Sequence, residues 1–135
     1  MLFLLDTNAF SDLVQGHPRL KDRVAALSAQ DRLIICSIVW GEIAYGIERM
    51  PEGKRRTDLA AKADRILASL DCEPVPPQAG NYYAAAKLAR QRGGLAMDEN
   101  DLWIASTAMA LDATLVSRDA DFHRIAGLNL EDWTL

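Results

Sequence analysis

Three short apolar runs punctuate the chain: "LFLL" from Leu2, "RLIIC" from Arg32 and "ATLV" from Ala113. Strands that are apolar at nearly every position are buried on both faces, and such strands belong to parallel sheets covered by helices. The segments between them carry helical spacing and the residues that end helices. Helix is expected from about Thr7 to Val14, followed by a turn at "QGHP". Pro18 suits the first turn of a second helix, with Leu20, Val24 and Leu27 on one face. "IVWGEIAYGIERM" reads as helix that stops at Pro51, and "EGKRRTDLAAKADRILASL" as a long amphipathic helix. "AGNYYAAAKLARQRGG" is an Ala-rich helix closed by its glycines, and a further helix spans Glu99 to Leu111. "CEPVP" reads as a short strand, and "LNLEDWTL" adds an edge strand. The pattern is that of an α/β protein: one domain over residues 1–135, a parallel sheet with right-handed crossovers and helices on both faces.

Composition adds limits. Hydrophobic residues make up 50% of the chain and charged residues 25%, as in ordinary soluble globular proteins. The net charge of −4 argues against a simple nucleic-acid-binding module, which is normally basic. It leaves room for an enzyme acting on nucleic acid, because clustered catalytic acids make the bare protein negative. "MLFLL" is too short for a membrane span and lacks a basic leader and cleavage site, so a cytoplasmic protein without a membrane partner is expected. Cys36 and Cys72 are expected as buried free thiols. Neither His17 nor His123 has a ligand-spaced Cys or His, so no zinc site and no role for them is expected.

Four acids fall where an open α/β sheet binds ligands, beyond the carboxyl ends of its strands. Asp6 ends the first strand, Glu42 lies a few residues past the second, and Asp119 follows "TLVS" after one Arg. Asp101 opens the helix that feeds the last of these strands. Asp6 suits a helix N-cap as well as a metal ligand. Asp101 shares a stripe with Ile104, Ala105 and Ala108, so it heads a core-facing surface. Burying an unpaired acid costs several kcal/mol, roughly, and a structural salt bridge is one way to offset that. Neither Glu42 nor Asp101 has a Lys or Arg three or four positions away, however. Converging carboxylates without cations repel, and a divalent ion resolves the conflict; oxygen-only ligands favour Mg²⁺ or Mn²⁺ over zinc.

The segments "LLDTN", "WGEIAYG", "DLWIASTA" and "LVSRDADF", in this order and with the closing "GLNLEDW", resemble PIN-domain ribonucleases, specifically the VapC-like toxins of bacterial toxin–antitoxin pairs. The resemblance covers nearly the whole chain and implies a PIN-like three-layer α/β/α domain with a short, mainly parallel central sheet. By that resemblance Asp6, Glu42 and Asp101 match the family's three core acids, and Asp119 a fourth position. Asp121 matches a further acid before the Phe, Asn8 the Asn of the opening motif, and Ser117 a hydroxyl residue that supports the site. Asp98 and Glu99 are extra acids; Asp98 suits an N-cap and stands outside the catalytic set. "GGLAMDEN" departs from the family's usual approach to this helix.

The implied activity is a Mg²⁺-dependent endoribonuclease, with Mn²⁺ also accepted. Asp6 and Asp101 would hold one or two ions, with Glu42 and Asp119 as further ligands or acceptors. A metal-activated water would attack the phosphodiester in line, leaving a 3′-hydroxyl and a 5′-phosphate. The implied partners are an RNA substrate (tRNA or ribosomal RNA), a cognate antitoxin and a second copy in a homodimer. Arg118, beside Asp119, is the best-placed cation for a phosphate; Lys87, Arg90, Arg92 and the run Lys54, Arg55, Arg56 suit a solvated face equally well. Trp40 and Trp103 fit core packing, and one of Tyr82 and Tyr83 fits an exposed partner surface. Two other readings compete: an inert PIN-fold binding module, and a haloacid dehalogenase-type phosphatase. The latter wants a second Asp two residues after the first, where this chain has Asn8.

Overall fold

The first apolar run forms β1 (Leu2–Leu5), in which Leu4 and Leu5 expose no surface. It pairs in parallel with β2 (Arg32–Cys36) on one side. A short strand over Asp71–Glu73, β3, lies outside β2. On the other side of β1 lies β4 (Thr114–Val116), followed by the edge strand β5 (Leu130–Glu131). The computed structural model describes all 135 residues, and its sheet is five-stranded and parallel throughout, in the order β3-β2-β1-β4-β5. The three central strands supply Leu4, Leu5, Ile34, Ile35, Leu115 and Val116 to the core with no exposed surface. Burial on both faces explains why these runs are continuous in apolar residues and do not alternate.

Six helices flank the sheet: α1 (Thr7–Val14), α2 (Pro18–Ala25), α3 (Ser37–Glu48), α4 (Lys54–Ala68), α5 (Ala79–Arg92) and α6 (Glu99–Ala110). The chain steps from β1 outward to β2 and β3, then returns past them to β4. Right-handed crossovers therefore put α1 to α4 on one face and α5 with α6 on the other. The direction of strand addition reverses between β1 and β4, and ligands of open parallel sheets bind at such a switch point.

Helix boundaries follow local chemistry. The Asp6 carboxylate caps α1, accepting from the Ala9 N–H, and Gly16 takes the left-handed conformation (φ 81°) that ends that helix. Pro18 sits in the first turn of α2, and the His17 ring accepts from the Leu20 N–H; His17 thus has a capping role that its surroundings in sequence do not suggest. α4 begins at Lys54 and not at Glu52, because Gly53 (φ 152°) breaks the backbone before it. Between β4 and β5 a 3₁₀ turn covers Ala120–Arg124, too short to carry a helical pattern. Trp133 closes the end of the sheet, fully buried with its ring centroid 5.1 Å from that of Phe3.

Three expectations are corrected. Cys36 is a buried thiol, but Cys72 is exposed because β3 is an edge strand with two of its three residues exposed. Arg90 does not lie on a solvated face: it is 5% exposed, and its Nη2 donates to the Ala96 carbonyl at 3.1 Å beneath the loop entering α6. Trp103 is only half-buried; its ring stacks on Tyr83 with centroids 4.0 Å apart. Tyr82 is the exposed member of the tyrosine pair. No helix is long and apolar enough to cross a membrane.

Candidate active site

The parallel register sets Asp6, after β1, beside Ser117, after β4: Leu5 pairs with Val116, and the Asp6 N–H donates to the Val116 carbonyl at 3.1 Å. Asp6 is 3% exposed. Its Oδ1 accepts from the Ala9 N–H at 2.7 Å, and its Oδ2 accepts from the Ser117 hydroxyl at 2.6 Å. The N-cap and the site-facing acid are therefore one residue doing both. The Ser117 Oγ in turn accepts from the Asp119 N–H at 3.0 Å, which bends the chain after β4 toward the same hollow. The Asp119 carboxylate caps the 3₁₀ turn by accepting from the Asp121 N–H.

Glu42 reaches the hollow from α3, held by the Thr7 hydroxyl at 2.6 Å. Asp101 enters from the first turn of α6, half-buried above Ile104, Ala105 and Ala108, all three of which are fully buried. Asp98 is the N-cap of α6, accepting from the N–H groups of Asn100 and Asp101. Asn8 and Asp121 are exposed. Arg118 is not free for a phosphate at all its positions: its Nε donates to Asp12 on α1 at 2.9 Å. Lys87 is likewise engaged, with Glu99 at 2.6 Å.

The acids feel one another's charge. The Asp101 carboxyl is pushed up to about 7, first by burial and then by the charges of Asp98, Glu42, Asp119 and Asp6. Burial also raises Asp6, outweighing the Ser117 and Ala9 hydrogen bonds that pull it down; Asp119 adds to the rise and Arg118 opposes it. None of Asp6, Glu42, Asp101 and Asp119 has an ion-pair partner among the Lys and Arg side chains. As the side chains stand, no three of them surround a common point that would hold an ion. Their oxygens rest on hydroxyl and amide donors. The donor set still fits a hard divalent cation: it is oxygen-only, mutually repulsive and without a protein cation. Binding would turn the carboxylates from those donors toward the ion.

Stability should carry the mark of this repulsion. For an acid raised in the folded state, the penalty is absent below about pH 4, grows as pH rises and is complete above about pH 7. The full shift at Asp101 corresponds to about 4 kcal/mol, and water access to the half-exposed carboxyl reduces it to about 2 kcal/mol. We therefore expect the chain in chelator to melt at a lower temperature at pH 8 than at pH 5, and Mn²⁺ to restore more at pH 8. Equal melting temperatures at the two pH values would contradict a raised Asp101 carboxyl.

One contributor has almost no signal in the sequence. Thr7 sits next to Asp6 in "LLDTN", but its contact with Glu42 crosses 35 positions and follows only from the packing of α1 against α3.

A family model described as PIN domain matches residues 3–128. Ribonuclease VapC2 of Rickettsia felis is 32% identical over 135 residues, covering 98% of each chain. The enzyme described as tRNA(fMet)-specific endonuclease VapC of Salmonella typhimurium is 26% identical, covering 97% of each. Among solved structures, VapBC2 from Rickettsia felis bound to a promoter DNA fragment superposes with a TM-score of 0.90 at 31% identity, covering 98% of this chain and 99% of that one. The chain belongs to the PIN-domain family. Within that family its relatives include VapC ribonucleases, and it is a nuclease. The phosphatase reading is thereby overturned; the residue two places after the first acid is Asn8, exposed on α1.

Proposed function

We propose that the chain is the endoribonuclease toxin of a toxin–antitoxin pair, cutting RNA with Mg²⁺ or Mn²⁺. PIN-domain VapC nucleases are metal-dependent as a class. The observation that carries the reading here is the convergence on Asp101 of Asp6 after β1, Glu42 on α3, Asp98 at the N-cap of α6 and Asp119 after β4, with no ion pair to a Lys or Arg at Asp6, Glu42, Asp101 or Asp119.

Asp6 and Asp101 would hold the ion, with Glu42 and Asp119 as further oxygens. When bound, the ion supplies the Lewis acidity that lets water act as a nucleophile on a phosphodiester at neutral pH. The chain's own work is positional. Ser117 fixes one oxygen of Asp6 and orients the Asp119 backbone, Thr7 aims Glu42, and Asp98 starts the helix that presents Asp101. Asn8, Asp121 and Arg118 are exposed, and Arg118 is tied to Asp12 on α1. The product ends are a 3′-hydroxyl and a 5′-phosphate. The solved VapBC assemblies of relatives support a cognate antitoxin as protein partner. A homodimer belongs to the same proposal.

Sequencing RNA ends after incubation with the purified chain tests this. Cleavage that needs Mg²⁺ or Mn²⁺, stops with chelator and is absent in a folded Asp6→Asn variant is the expected result. A wild-type chain that binds RNA but never cuts it would make it an inert PIN-fold binder instead.

A further inference from the structure

α3 and its C-cap residue present Ile38, Glu42, Tyr45 and Arg49 along one face, at successive spacings of four, three and four. This stripe lines an open groove of about 600 Å³ whose other contributors include Thr7 and Asn100. Glu42 and Thr7 belong to the acid hollow, so the groove starts at the reacting centre and runs outward along the helix. A Cβ built on Gly41 or Gly46 would meet nothing within 4 Å, so the groove is wide at both glycines.

Two side chains along it lack a structural task. Tyr45 is 66% exposed, an unusual state for a large ring on a helix beside the core. The Arg49 guanidinium carbon lies 5.7 Å from the centre of that ring, and Arg49 forms no ion pair. Around the hollow, Arg118 and Lys87 are held by Asp12 and Glu99. In a chain of net charge −4, an unpaired cation beside an aromatic face marks where a polyanion can approach.

We propose that this groove is the subsite for the single-stranded RNA flanking the scissile phosphodiester, with Tyr45 stacking on a base and Arg49 meeting the adjoining phosphate. The inference rests on the ribonuclease reading and extends it to a place on the molecule. Stacking on an aromatic ring with a nearby cation is the sequence-tolerant way to hold single-stranded nucleic acid. A protein segment would favour apolar pockets, and apart from Ile38 and Tyr45 the lining is glycine, polar or charged.

The test is steady-state cleavage of a short single-stranded RNA by the full chain with Mg²⁺, comparing wild type with Tyr45→Ala, Tyr45→Phe and Arg49→Gln. Tyr45→Ala should raise KM roughly 5- to 50-fold with kcat within about twofold, and Tyr45→Phe should restore KM. Arg49→Gln should raise KM less and shallow the salt dependence of binding by about 0.7 in the log–log slope, the loss of one single-strand phosphate contact. An active wild type whose KM ignores all three substitutions would overturn the subsite and leave the ribonuclease reading standing. So would variants that lose only affinity for a partner protein. A wild type that cuts no RNA overturns both.

Discussion

Asp101→Asn should abolish cleavage while making the metal-free chain more stable. The carboxyl is held up at about 7 by burial and by four neighbouring acids, so at pH 8 the folded chain keeps it ionised against that field. The neutral amide has nearly the same shape and removes the charge, and with it the cost of about 2 kcal/mol that burial and the neighbouring acids impose at pH 8. The gain should shrink toward zero below about pH 4, where the carboxyl is protonated in both folded and unfolded chains. Losing an ion ligand on the core-facing side of α6 should cost activity about 100-fold or more. Thermal melts in chelator at pH 5 and pH 8, set beside cleavage rates, give both signs in one comparison. A variant that is inactive and also less stable at pH 8 would mean that Asp101 holds the fold and not an ion.

Ser117→Ala should be the most damaging change that leaves every acid in place. The hydroxyl is buried, donates to Asp6 and accepts from the Asp119 N–H, so one deletion strips two groups of the site of a partner. Leaving a buried carboxylate oxygen unpaired costs about 1–3 kcal/mol, and the Asp6 carboxyl should rise further because its lowering hydrogen bond is gone. Supporting contacts of this kind are worth about 10- to 100-fold in metal affinity or activity. Ser117→Thr keeps the hydroxyl and should recover most of the loss if the added methyl group is accommodated. The informative readout is metal affinity: Ser117→Ala should weaken Mn²⁺ binding, which a purely structural defect in a still-folded chain would leave alone.

The elements of the fold were legible because their signals are local. The unbroken apolar runs of β1 and β2, Pro18 at the start of α2 and the glycines closing α5 each act within a few residues. The edge position of β3 was not legible, since strand order is decided by crossovers tens of residues long; this is why Cys72 lies in solvent. Arg90 is hidden for a similar reason: its partner is the backbone of the loop at Ala96, and its own surroundings in sequence look like an ordinary solvated helix end. In the site, the acids declared themselves by where they follow strands. Their hydroxyl supports did not, because Ser117 reaches Asp6 across 111 positions and Thr7 reaches Glu42 across 35. Only the resemblance of "LVSRDADF" to a family motif brought Ser117 forward, and Thr7, although inside "LLDTN", was assigned no role by it.

Titrating Mn²⁺ into the purified chain at pH 8, with free ion read by electron paramagnetic resonance, addresses the acid hollow most directly. Wild type should take up the ion saturably, and Asp6→Asn and Asp101→Asn, each still folded, should bind it about 10- to 100-fold more weakly. No uptake by wild type, or the same uptake by both variants, would contradict the account.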